Sequence, residues 1–197
     1  YRLFSKKEYS FCAITVDPGM GFDDSPLRLF CEQNEIEYIY EPGGIVEKAI
    51  ENTPAGKTPC SYCARLRRGA LNGAAVAAGC HKVALGHHRD DALATLLMCI
   101  FHECRLSTLA TTTYLSETNL HVVRPLIYMP EMQIKGAVNR LKLPVCKKVC
   151  PFDGNTERER MKRLIKDLRK QFDQADEMLL RALKKTEAYN LWDKYRQ

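Results

Sequence analysis

Cys60-Ser-Tyr-Cys63 follows Pro59 and sets two thiols three residues apart at the start of a segment with helical character. Residues at that spacing share a helix face, so two thiolates can point at one metal ion or cluster. The spacing alone is compatible with a redox disulfide, half of a zinc site, part of an iron–sulfur site, or no site. A second group, Cys146-Lys-Lys-Val-Cys150-Pro151, ends in a cysteine before proline, the form in which cluster-binding runs close. These four cysteines fit a closed zinc site as well as a cluster. Cys12, Cys31, Cys80, Cys99 and Cys104 fall on predicted strands or helices, where buried structural thiols are expected.

Directly after Cys63, Arg65, Arg67 and Arg68 occupy the first turns of the same helix. In isolation they would form a solvated face. Beside a thiolate pair, they can stabilise anionic substrate and sulfide. Gly86-His87-His88-Arg89-Asp90-Asp91 stands where a strand ends and a helix begins, the carboxyl edge at which open α/β sheets hold ligands. Carboxylates near a helix N-terminus are favourable in any protein, but two histidines and two aspartates converging there argue for a site.

The elements that must position these groups alternate. Phe11–Val16 is a short apolar run stopped by Asp17-Pro18-Gly19, which predicts a central strand buried on both faces. Ser25-Pro26 opens a helix to Gln33-Asn34. Further strands are expected at 36–40, 82–85 and 122–123, with helices at 45–50, 61–78 and 90–104. Strands alternating with helices imply a parallel sheet covered on both faces. Residues 1–150 thus read as an α/β domain and 151–197 as a helical appendage, its basic amphipathic helix running from about Thr156 to Thr186. The glycines of Asp17-Pro-Gly-Met-Gly21 lack the form of a phosphate-binding turn: Pro18 removes a donor, and Asp17, Asp23 and Asp24 repel phosphate.

The chain carries a net charge of +6, which favours a polyanionic partner. No apolar run reaches the roughly 20 residues of a membrane helix, and residues 1–10 are too polar for a signal peptide. A cytoplasmic protein with reduced thiols and no membrane partner is expected.

Val16-Asp-Pro-Gly19, Pro59 through Gly69, Ala84-Leu-Gly-His-His-Arg-Asp-Asp91, Arg124-Pro-Leu126 and Cys150-Pro-Phe-Asp-Gly154 together resemble the tRNA 2-thiocytidine synthetase family (TtcA), in that family's order and over nearly the whole chain. The resemblance implies a Rossmann-like PP-loop ATP pyrophosphatase fold of the adenine nucleotide alpha hydrolase type, with a 4Fe–4S cluster held by Cys60, Cys63 and Cys150. It further implies that ATP, with Mg2+, adenylates an anticodon-loop cytidine of tRNA and that sulfur then displaces AMP. By the same match Arg67 and Asp91 are the catalytic residues, Arg67 binding anionic groups and Asp91 accepting a proton or orienting through magnesium. Asp17, Gly86, His87, His88, Asp90, Arg65 and Arg68 fall to nucleotide or substrate binding. Lys147, Lys148, Arg158 and Arg160 are the candidate tRNA contacts. A sulfur donor such as a cysteine desulfurase is implied, and a homodimer is compatible. The family's Ser-Gly-Gly-Lys-Asp-Ser loop, which should precede Phe11, is not in the sequence, and Ala94 replaces an acidic or amide residue. The sheet is therefore expected to lack its first strand, leaving an unpaired edge or a hole, and the fragment alone to be inactive. Two alternatives stand beside this reading: a catalytically silent tRNA-binding or cluster-carrying homologue, and a structural zinc site of four cysteines that includes Cys146.

Overall fold

The computed structural model describes residues 9–184. The end of the expected helix at Thr186, and most of the polar segment 1–10, lie outside them. β1 (Cys12–Val16) pairs in parallel with β2 (Glu37–Glu41), in register from Cys12 opposite Glu37 to Val16 opposite Glu41. Between them runs α1 (Ser25–Gln33), with Pro26 in its first turn, where a fixed φ and a missing N–H cost nothing. Asp24, not Ser25, is the N-cap residue; the Ser25 N–H donates to Asp23 Oδ1 at 3.0 Å.

α2 (Ile45–Glu51) and α3 (Cys60–Ala77) follow, and α3 packs along β1, β2 and β3 (Lys82–Ala84). α3 stops in a Schellman turn. The Cys80 N–H donates to the Ala75 carbonyl and the Gly79 N–H to the Val76 carbonyl, with Gly79 at φ +68°. After α4 (Arg89–Glu103), β4 (Thr112–Leu115) and β5 (Leu120–Val123) form a hairpin. β5 lies between β4, antiparallel to it, and β3, parallel to it.

The α/β alternation with parallel strand pairs is as expected, but the strands fall into two small sheets, and no ladder bond joins β1 to β3 among the described residues. Among the described residues, each parallel pair keeps an unpaired edge. β1 also departs from the central strand predicted: all five of its residues are half-buried. The sheets meet through side chains. Val83, Leu120 and Val122 form a buried cluster with Ala75, against which Ile14, Leu71 and Cys80 pack. β4 was not expected, because Thr-Thr-Tyr-Leu buries only alternate residues partway.

The chain divides into two compact units that interleave in sequence. One takes residues up to Leu85 with Thr112–Val123 and Gly136–Asp153; the other takes Gly86–Thr111, Arg124–Lys135 and the residues from Gly154. One division, between Asp153 and Gly154, falls close to the boundary expected at 150, and the others lie inside the expected α/β domain. The C-terminal residues are no separate appendage, because they share a core with α4. That segment is also two helices, α6 (Glu157–Gln171) and α7 (Ala175–Lys184). They are broken where Phe172 turns extended and Gln174 takes φ +56°. α4, α6 and α7 pack on one another, burying Leu93, Ala94, Leu97, Met161 and Ile165, with Leu179 and Leu183 beside them. α5 (Glu131–Leu141) buries no residue completely, so it left no clear periodic signal in the sequence.

Candidate functional site

In the first unit, Cys60 and Cys63 sit at the first and fourth positions of α3, which Pro59 precedes as N-cap. Both thiols are half-buried, as are Cys146 and Cys150 in the loop after α5. Burial pushes the Cys60 thiol up, and the negative charge that Cys150 would carry pushes it further. Cys63 is raised by burial against the pull of the Arg67 cation, with Cys150 and Cys60 adding to the rise. Cys60, Cys63 and Cys150 therefore feel one another as a trio. Thiolates are the ligand type a metal or iron–sulfur group takes, but among the described residues no three His, Cys, Asp or Glu side chains converge closely enough to hold a metal ion as placed.

Cys146 faces elsewhere. Its thiol is raised by burial and then by Asp23 and Asp24 ahead of α1, and it is bonded to the Leu27 backbone. The two members of the second cysteine group are thus separated: Cys150 joins the pair on α3 and Cys146 joins the start of α1. Arg67 reaches Cys63 electrostatically, while exposed Arg65 lies over the Tyr62 ring at 5.2 Å and Arg68 is exposed. Lys148 pairs with Asp153 at 3.0 Å, and Lys147 lies within electrostatic reach of Asp23.

The turn after β1 is tied down by carboxylates. Asp17 Oδ1 accepts the Gly19 N–H at 2.8 Å, and Glu47 accepts the Met20 N–H. These donors are engaged within the chain, in keeping with the sequence reading that this turn is no phosphate cradle. Asp17 shapes the turn.

In the second unit, His88 is the N-cap of α4 and its backbone N–H donates to Asp91 Oδ2 at 3.1 Å. The His88 ring lies among three carboxylates, 3.3 Å from Asp91, 3.8 Å from Asp90 and 3.9 Å from Glu131. Asp91 Oδ1 lies 3.3 Å from Lys162 Nζ. Asp90 is buried. One of its oxygens accepts the Glu131 N–H at 2.8 Å and the other takes the Arg169 guanidinium at 2.8 Å. Burial alone would raise the Asp90 carboxyl, but the Glu131 N–H and Arg169 hold it below the usual carboxylate range. Asp90, expected to bind nucleotide, is committed to bracing α4 against α5 and α6. Arg89 pairs with Asp176 and with Glu177 on α7. Gly86 and His87 precede this network, Gly86 exposed and His87 half-buried.

Arg158, expected as a tRNA contact, turns inward and donates to the Asp91 carbonyl at 3.2 Å and to Thr95 Oγ1 at 3.0 Å. Arg160 stays exposed, paired only loosely with Glu157. Lys162, Arg169 and Glu131 were not singled out from the sequence. The signal was available: Arg158, Lys162, Ile165 and Arg169 recur at i, i+4, i+7 and i+11, one face of a helix.

The chain matches the PP-loop domain family over residues 10–168. It is 35% identical over 195 residues to the tRNA-cytidine(32) 2-sulfurtransferase of Coxiella burnetii (strain CbuG_Q212), covering 98% of this chain and 76% of that protein. To the protein of the same name from Pelobacter propionicus it is 33% identical over 193 residues, covering 96% and 72%. Its fold is similar to that of the U34-tRNA thiolase NcsA from Methanococcus maripaludis, a structure holding its 4Fe–4S cluster, with TM-score 0.72 at 22% identity over 95% of this chain and 66% of that one.

Proposed function

This chain belongs to the PP-loop domain family, among relatives that are tRNA-cytidine 2-sulfurtransferases, and we propose that it serves ATP-dependent, iron–sulfur-dependent thiolation of an anticodon-loop cytidine in tRNA. The observation that carries the assignment of ligands is the grouping of Cys60, Cys63 and Cys150 apart from Cys146. On this reading the three thiolates hold a 4Fe–4S cluster. When bound, the cluster supplies an iron without a protein ligand, a Lewis-acid position that can hold sulfur.

The rest falls to side chains. Arg67, already acting on Cys63, offsets negative charge beside the thiolates and binds an anionic group of nucleotide or tRNA. Arg65 and Arg68 add exposed cations on the same helix for phosphate. Asp91 is the acid–base or orienting carboxylate at the other candidate site, alone or through Mg2+. Lys162 and the His88 N–H fix its direction. A sulfur donor of the cysteine-desulfurase class belongs to the same proposal, since the reaction consumes one sulfur atom per cytidine.

Anaerobic reconstitution with iron and sulfide tests the ligand set. Cys60→Ala, Cys63→Ala and Cys150→Ala should each lose iron, sulfide and the brown absorption, while Cys146→Ala keeps them. A colourless protein that retains one zinc, lost on Cys146→Ala, would overturn the assignment.

A further inference from the structure

Cys12 opens β1, and Cys80 stands in the turn between α3 and β3. Sixty-eight residues apart in sequence, their sulfurs lie 3.8 Å apart and half-buried. The pair is separate from the trio on α3 and its loop. The Schellman turn fixes one partner: its two backbone bonds place Cys80 directly after the left-handed Gly79. β1 fixes the other through its ladder to β2. A disulfide needs the sulfurs at about 2.05 Å, so the pair must close from its present separation. No ladder bond joins β1 to β3 among the described residues, so the bridge would tie together two sheets that otherwise meet only through side chains.

We propose that Cys12 and Cys80 form a redox dithiol that peroxide closes to a disulfide across the junction of the two sheets.

The Cys12 thiol is pushed up to about 11 by burial and then by its S–H bond to Cys80. At neutral pH it keeps its proton and is a poor nucleophile. Cys80 is therefore the attacking thiol and Cys12 the resolving one. The Cys80 thiolate attacks hydrogen peroxide: an S–O bond forms, the O–O bond breaks, and the departing hydroxide takes a proton to become water. The Cys12 sulfur then displaces the hydroxyl from the Cys80 sulfenic acid, forming the S–S bond and releasing a second water that carries off the Cys12 proton. Two thiols give up two electrons and one peroxide becomes two waters.

Trypsin places each cysteine alone in its own peptide, 8–28 and 69–82. The full chain is reduced, exposed to hydrogen peroxide, blocked with N-ethylmaleimide, digested and mapped by mass spectrometry. The expected product is peptide 8–28 joined to 69–82, lighter by two hydrogens than the sum of the two. Cys80→Ser should abolish it, and Cys12→Ser should leave a Cys80 sulfenic acid that dimedone traps. Recovery of both peptides singly alkylated, after Cys60 and Cys63 have oxidised in a chain whose circular dichroism is unchanged, would overturn the proposal. So would a sulfenic acid that appears on Cys12 in Cys80→Ser but never on Cys80 in Cys12→Ser.

Discussion

Lys162 Nζ lies 3.3 Å from Asp91 Oδ1 and 3.1 Å from Glu131 Oε2, so one ammonium on α6 joins carboxylates from α4 and α5. Burial alone would lower the Lys162 pKa; Asp91 and Glu131 outweigh it and hold the ammonium above its ordinary value. Lys162→Met leaves Asp91 without its ammonium partner and Glu131 held by Lys135, 2.8 Å away. Urea unfolding should show a loss of about 1–3 kcal/mol at neutral pH. Because the folded pKa is raised, the stabilisation is fully present below the unfolded value, about 10.4. It fades as pH rises through the folded one, and Glu131, held down in part by the same contact, loses it as pH falls through its own folded value, so the gap between wild type and variant should narrow at both ends.

Asp90 has the opposite sign. Its carboxyl is held below the usual range, so the stability it contributes is present above the unfolded value, about 3.9. That stability is lost as pH falls through the folded value. Asp90→Asn removes one of the two carboxylates on Arg169, which keeps Asp176 at 2.9 Å, and weakens the bond from the Glu131 N–H, at a cost of roughly 1.5–3 kcal/mol at pH 7. Unfolding curves taken at successive pH values should converge with those of the wild type under acid. A constant gap down to low pH would show that Asp90 does not titrate with folding.

Much of the framework was legible because local chemistry and tertiary context agree. Ser25-Pro26 began α1, the Gly86-to-Asp91 run marked the head of α4, and the Cys60-to-Gly69 run marked the head of α3. β4 and α5 escaped because neither buries a full apolar face. The break at Phe172–Gln174 escaped because Phe172, inside the helix expected from Thr156 to Thr186, is 61% exposed. At the candidate site the cysteines and the Asp90-Asp91 pair could be read as types in a pattern. Which second-group thiol joins Cys60 and Cys63 could be assigned only by resemblance, since it depends on how the loop after α5 folds. The inward turn of Arg158 was hidden for the same reason: a basic residue on an amphipathic helix looks solvated until the partner carbonyl is placed.

That inward turn separates two arginines that sequence reading had treated alike. Arg160→Glu, on the exposed face, should weaken tRNA binding and reduce the salt slope by about 1 while leaving stability within about 0.5 kcal/mol. Arg158→Glu should instead lower the unfolding midpoint, because it removes donors from the Asp91 carbonyl and Thr95 and sets a carboxylate in their place. Equal effects of both variants on tRNA affinity, with neither destabilised, would contradict the assignment.

The core of the second unit should respond by burial rather than by residue type. Leu93 is fully buried between α4 and α6, whereas Leu164 on α6 is 36% exposed. Leu93→Ala should cost about 2–5 kcal/mol, several times the cost of Leu164→Ala. Denaturant titration of the two variants gives the comparison directly.

Gly19 tests the turn that follows β1, because two separate costs act there. Its φ is +84°, and an added Cβ would lie 1.7 Å from Glu47 Oε2, the carboxylate that holds the Met20 N–H. Gly19→Ala therefore incurs the cost of left-handed backbone, about 1–2 kcal/mol, and displaces Glu47 from its bond. Removing Glu47 first relieves the clash but not the backbone term. In the Glu47→Ala background, Gly19→Ala should thus cost less than in the wild type yet still about 1–2 kcal/mol. A cost that vanished in that background would mean the turn relaxes to negative φ once Glu47 is gone, and that Glu47, not glycine, sets its conformation.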